Sequence, residues 1–113
     1  MNYEDVSDFE ISKEVAFAIR GRDAVCVIDT PLDKLVRIFN GNPKNEDGSG
    51  WVDFDPCNNP SDAWPIIVDN ELSLWKTLDD WDASSNSGNI QHADKSPLRA
   101  AMICFLKMKD AEK

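Results

Sequence analysis

Three prolines, Pro56, Pro60 and Pro65, stand in the run Asp55-Pro56-Cys57-Asn58-Asn59-Pro60-Ser61-Asp62-Ala63-Trp64-Pro65-Ile66-Ile67, which constrains the fold more than any other stretch. Proline fixes its own φ, lacks an N–H and pushes the preceding residue toward extended backbone. Trp51-Val52-Asp53-Phe54 alternates apolar and acidic residues, as a half-buried antiparallel strand does, and must end at Pro56. Asn58 and Asn59 then supply turn chemistry. A short helix is predicted from Ala63 to Asn70. Asn59, Ser61 and Asp62 are all capable caps. Ser61 or Asp62 is expected, because either keeps Pro65 near the first turn, where its missing N–H costs little. The middle of the chain is thus a strand-to-helix corner.

Both ends of the chain carry helix punctuation. Ser7-Asp8-Phe9-Glu10 is a capping box, with Val6 and Ile11 spaced for a hydrophobic staple and Gly21 placed to end the helix. A helix over Asp8–Arg20 follows, with Ile11, Val15, Ala18 and Ile19 on its apolar face. Ser96-Pro97 starts the last helix with an N-cap and a proline at the first helical position. Leu98, Ala101, Met102, Phe105 and Leu106 line its inner face.

Between these lie short strand patterns. Ala24–Asp29 reads as a buried strand, Leu35–Phe39 as a second, Leu72–Leu78 as another with a return around Trp81–Ser84. Residues 40–50, rich in Asn and Gly, read as a mobile hairpin-type connection, and Ser85–Asp94 as a polar loop. Strand pairs segregated from helices predict an α+β fold with a mainly antiparallel sheet flanked by the N- and C-terminal helices.

At 113 residues the chain is expected to form a single domain, residues 1–113. No apolar stretch approaches the roughly 20 residues of a membrane span. The N-terminus lacks the basic-then-apolar order of a secretory signal, so the expected compartment is the cytoplasm of the cell that makes the protein. Three cysteines at wide spacing do not make a disulfide framework; Cys26 and Cys104, each in an apolar run, are expected to be buried thiols. A net charge of −9 disfavours direct binding to nucleic acid or to an anionic membrane. It suits a protein partner with a basic surface.

The corner also carries a likeness. Its Pro-Cys-Asn lead-in and its Asp62-Ala63-Trp64-Pro65-Ile66-Ile67 core resemble a mid-chain signature of the NinX-like proteins of tailed phages and prophages. Ser7-Asp8-Phe9-Glu10-Ile11 is similar to the opening block of that family, with Ser12 in place of its asparagine. Ser96-Pro97-Leu98-Arg99-Ala100-Ala101-Met102-Ile103 is similar to its closing block. Residues 22–50 carry no part of the likeness. The resemblance implies an α-β-α sandwich and a phage or prophage accessory protein. It names no reaction and transfers no catalytic residue.

Candidate sites follow from residue chemistry alone. Asn58, Asn59, Pro60, Ser61 and Asp62 surround a helix start whose amides can hold an anion. Trp64 either closes the core edge or stands out as an aromatic anchor. Arg99, at the third position of the last helix, sits at the positive end of a helix dipole. A carboxylate among Asp53, Asp55 and Asp62 is its expected partner, unless it points into water. Asp79, Asp80 and Asp82 form an acidic turn that suits a basic groove. A single histidine and scattered cysteines do not make a zinc site, so no metal, cofactor or catalytic residue is expected.

The function expected is a non-enzymatic acidic module that binds a host or phage protein. In a narrower form it inhibits a nucleic-acid-handling or defence enzyme. The alternative is a small-ligand binder or an enzyme using the corner around Cys57, with His92 as its base.

Overall fold

The computed structural model describes residues 3–39 and 50–112. A single turn at Tyr3–Asp5 leads into α1 (Asp8–Arg20), followed by strands β1 (Val25–Asp29), β2 (Lys34–Phe39) and β3 (Trp51–Asp53). Helix α2 (Pro60–Asp69) crosses to β4 (Ser73–Lys76), β5 (Trp81–Ser84) and β6 (Gln91–Asp94), and α3 (Pro97–Ala111) closes the chain. The fold is α+β, as expected, but its antiparallel strands divide into two three-stranded sheets, β1-β2-β3 and β4-β5-β6. Helix α1 packs on β1, β2 and α3; α3 packs on the second sheet, on α1 and on α2. Each sheet therefore has a terminal helix on it, and the two helices join the halves through one apolar core.

Helix α1 starts and stops where its punctuation puts it. Ser7 Oγ accepts from Glu10 N at 3.2 Å, and Gly21, at φ 75°, donates to Phe17 O at 2.9 Å. Its buried residues are Ile11, Ser12, Val15 and Ala16. The expected stripe is corrected at its end: Ala18 and Ile19 are exposed, because the last turn of the helix runs past the core. In α3 all seven residues from Ala100 to Leu106 are buried, so the middle of this helix is enclosed on every side while its two ends are not.

Cys26 corrects a second expectation. It is exposed, because β1 is an edge strand with period-two alternation and only one face toward the core. Cys104 is buried in α3. A third correction is β6, which lies in the segment read as loop. Gly88, at φ 77°, turns residues 85–90 into a hairpin, and Gln91–Asp94 pairs with β5 in register Ala83↔His92. The inward residue there is a buried histidine rather than an aliphatic, so the hydrophobic pattern is broken.

The two β-hairpins β1–β2 and β4–β5 close in the same way. Thr30 N donates to Asp33 O and Asp33 N to Thr30 Oγ1, at 2.8 and 2.9 Å. Thr77 and Asp80 repeat this at 2.8 and 3.1 Å. At the start of β3, Gly50 takes φ 83°, beneath the Phe39 ring, which tilts against Trp51 with centroids 5.4 Å apart. The connection expected over residues 40–50 falls outside the described residues, Gly50 apart.

Candidate functional site

The corner is built as a strand-to-helix turn, but its cap lies two residues before Ser61, the nearer of the two expected positions, and its helix starts at Pro60 rather than Ala63. Asn59 is the N-cap of α2, its Oδ1 accepting from Ser61 N at 3.0 Å, and Pro60 takes the first helical position. Pro65 then falls inside the helix. Pro65 and Ser61 are both exposed, so the Ser61 carbonyl that the proline leaves without an amide donor belongs to an exposed residue rather than a buried one. The expected anion site at this helix start does not form. Asp62 N and Ala63 N donate to Asn59 O at 3.0 and 3.2 Å, so the Ser61, Asp62 and Ala63 amides are all used within the turn.

Asp55 organises the turn from the strand side. Its carbonyl accepts from Asn58 N and Asn59 N at 3.1 and 2.8 Å, and its N–H donates to Asp62 Oδ2 at 2.9 Å. Burial first, then the negative charges of Asp55 and Asp53, push the Asp62 carboxyl above its ordinary pKa, against the pull of the Asp55 amide. The Asp55 carboxylate receives Asn58 Nδ2 on both oxygens, at 3.2 and 3.1 Å, and Ser12 Oγ at 3.5 Å.

From Asn58 the network reaches the other two helix starts. Asn58 Nδ2 lies 3.2 Å from Asp8 Oδ2 at the first turn of α1, and Asp8 Oδ1 accepts from Arg99 Nη1 at 2.5 Å. Arg99 is 15% exposed at its side chain, on the first turn of α3. Its Nε donates to Asp94 Oδ2 at 3.0 Å, and its Nη2 to the carbonyls of Tyr3 and Val6 at 3.2 and 2.5 Å. Among the described residues the carboxylates it meets are Asp8 and Asp94, not the expected Asp53, Asp55 or Asp62. Burial works against the guanidinium charge, but the hydrogen bonds and fields of Asp8 and Asp94 outweigh it and raise its pKa. An arginine in the first turn of a helix opposes the dipole, and the two carboxylates offset that cost.

Three helix N-termini thus meet around Asp8. Beside this junction a cleft of about 250 Å³ is lined by Asp8, Phe9, Ser12, Asp53, Asp55 and Asn58, with Lys34 at its rim. Cys57 is buried against the same groups. Burial foremost, with the carboxylates of Asp8 and Asp55, pushes its thiol up to about 12 against the opposing pull of Arg99 and of the Ser12 hydrogen bond. At neutral pH it is a thiol, not a nucleophilic thiolate. His92 faces Lys107, whose Nζ lies 3.1 Å from Nδ1, and Asp94 Oδ2 lies 3.9 Å from Nε2. Among the described residues no group of three or more His, Cys, Asp and Glu is arranged to hold a metal ion.

The remaining sequence candidates lie apart from the junction. Asp79 and Asp80 form the tip of the β4–β5 hairpin, where Lys95 Nζ reaches Asp80 Oδ1 at 2.9 Å and Asp79 O at 3.2 Å. Asp82 lies within β5, opposite Trp75 and Ala93. Trp64 stands on the outer face of α2, 63% exposed. Sequence reasoning missed Asp8 and Asp94 as members of the junction. The signal for Asp8 was its place in the capping box; Asp94 had none, since its strand was unread.

The fold and its polar junction define a small α+β protein in which the opening, middle and closing sequence blocks are tied together at Asp8, Asn58 and Arg99. The chain belongs to the family described as Bacteriophage P22, NinX, which matches residues 2–109. No curated protein and no solved structure matches it.

Proposed function

We propose that this phage-family protein is an accessory protein that binds a host or phage protein through an acidic surface and catalyses no reaction. The observation that carries the reading is Trp64, a large aromatic residue held 63% exposed on a helix in an acid-rich segment. Tryptophan is enriched among the residues that dominate binding energy at interfaces. The net charge of −9 directs the choice of partner toward basic protein surfaces and away from phosphate backbones. In its narrower form the protein inhibits a nuclease or defence enzyme by occupying the groove that otherwise takes nucleic acid. The cytoplasm of the host is where such a partner would be met.

The small-ligand or enzymatic reading of the corner has less support. Cys57 is buried and protonated, and the helix amides beside it are used internally.

The test uses the intact chain as bait in the host bacterium, with and without phage infection. A stoichiometric protein partner is expected, its retention weakened by salt. Reversing Asp79, Asp80 and Asp82 to lysine should weaken it and flatten the salt dependence. Recovery of no stoichiometric protein in either condition would remove the reading.

A further inference from the structure

Helix α2 is apolar on two opposite sides. Its inner face, Ala63, Ile66 and Ile67, is buried in the core. Its outer face presents Trp64 and Val68, 63% and 52% exposed, with exposed Pro65 between them. Trp64 and Val68 are four residues apart, which places them one turn apart on one side of the helix. A surface helix ordinarily carries mainly polar groups there, and two large apolar side chains one turn apart are the spacing by which a helix anchors in a groove.

Charge narrows what covers it. From Gly50 to Trp75 the chain carries Asp53, Asp55, Asp62, Asp69 and Glu71, and no Lys, Arg or His. A second copy docking face to face would bring a second acidic patch against the first, since a two-fold interface uses the same patch on both sides. Nucleic acid or an anionic membrane would bring further negative charge. A cationic protein surface is the complementary one.

Shape narrows it again. Trp64, Pro65 and Val68 form a convex ridge one helix wide, which fits a groove rather than a flat surface. The ridge is already ordered: Asn59 caps the helix and Asp55 N clasps Asp62, so little ordering remains to be done on docking. We infer that α2 docks as a helix into an apolar groove of a partner protein, a groove rimmed by Lys and Arg, with Trp64 and Val68 as its anchors. This rests on the protein-binding reading above and assigns that function a surface and a partner chemistry.

The test replaces Trp64, Val68 or Leu78, one at a time, by the photo-crosslinking residue p-benzoylphenylalanine in the intact chain, expressed in the host with and without phage infection. All three positions are exposed, and far-UV circular dichroism checks that each variant folds. Positions 64 and 68 should crosslink the same protein, through a peptide that mixes apolar residues with Lys or Arg. Asp69→Lys with Glu71→Lys should reduce that crosslink at least about tenfold, as should about 0.5 M NaCl, where the Debye length is only about 4 Å. A crosslink from position 78 but not from 64 or 68 overturns the α2 surface while the protein-binding reading stands. No crosslink from any position overturns both. Crosslinking to a second copy, to nucleic acid, or to a protein whose capture ignores the charge reversal also overturns the inference.

Discussion

At the scale of single residues, Arg99 holds the most structure per side chain. It ties the turn at Tyr3 and Val6, the first residue of α1 and the last of β6 to the start of α3. Arg99→Ala should cost roughly 3 kcal/mol in urea unfolding, the low end for breaking a buried pair, because Asp8 stays 44% exposed at its side chain. Arg99→Lys should recover only part of this, since an ammonium cannot match the fork of donors. Equal stability of all three proteins would show that the network is ornamental. Asp62 gives a prediction of opposite sign. Its folded carboxyl holds a proton more tightly than the usual 3.8 allows, so stability falls as pH rises from that value through the raised one. Asp62→Asn keeps an acceptor for Asp55 N and removes this slope. Urea midpoints between about pH 4 and pH 7 should therefore decline less in the variant than in the parent. That Arg99 needs a carboxylate was legible from its place on the last helix. Which carboxylate was not, because Asp8 lies 91 positions away and Asp94 sits on a strand the pattern hides.

Among the elements, α1 and the start of α3 were read residue by residue because capping is local chemistry. Ser7, Gly21 and Ser96 each act within a few residues of themselves. The cap of α2 lies at Asn59, so Pro65 falls inside the helix, and only packing decides that it does so on the exposed face. Strand β6 was missed because His92 fills the inward position that an aliphatic residue would have marked. The entry to β3 offers the sharpest test at this scale. A Cβ on Gly50 would sit 2.8 Å from Phe39 Cε2, and its φ of 83° strains any other residue. Gly50→Ala should lose about 1–3 kcal/mol and disturb the fluorescence of Trp51, which packs on the Phe39 ring. Asn59→Ala should lose about 1 kcal/mol without that spectral change. A Gly50→Ala protein as stable as the parent would refute the strain argument.

The whole molecule consists of two small sheets that share no strand and are held together through α1 and α3. The inner faces of both sheets and of α1 and α3 contribute to one apolar core, so the expected behaviour is one cooperative transition. Two variants, one keeping only Trp51 in the first sheet and one only Trp81 in the second, should each show urea midpoints that coincide by fluorescence and circular dichroism. If the fluorescence of either sheet leads its own circular dichroism, the halves unfold separately. The sequence by itself determined the bounds of α1, the start of α3, the proline corner, the α+β class and the family, because each rests on neighbours in the chain or on residues matched in order. Only the tertiary structure decided the partners of Arg99, the burial of Cys57 beside an exposed Cys26, and the meeting of three helix starts at Asp8. These depend on how elements far apart in sequence pack, and no local pattern records that. The same holds for Trp64: a proline-locked helix placed it near the corner, but only packing against α3 determined that its ring would face outward.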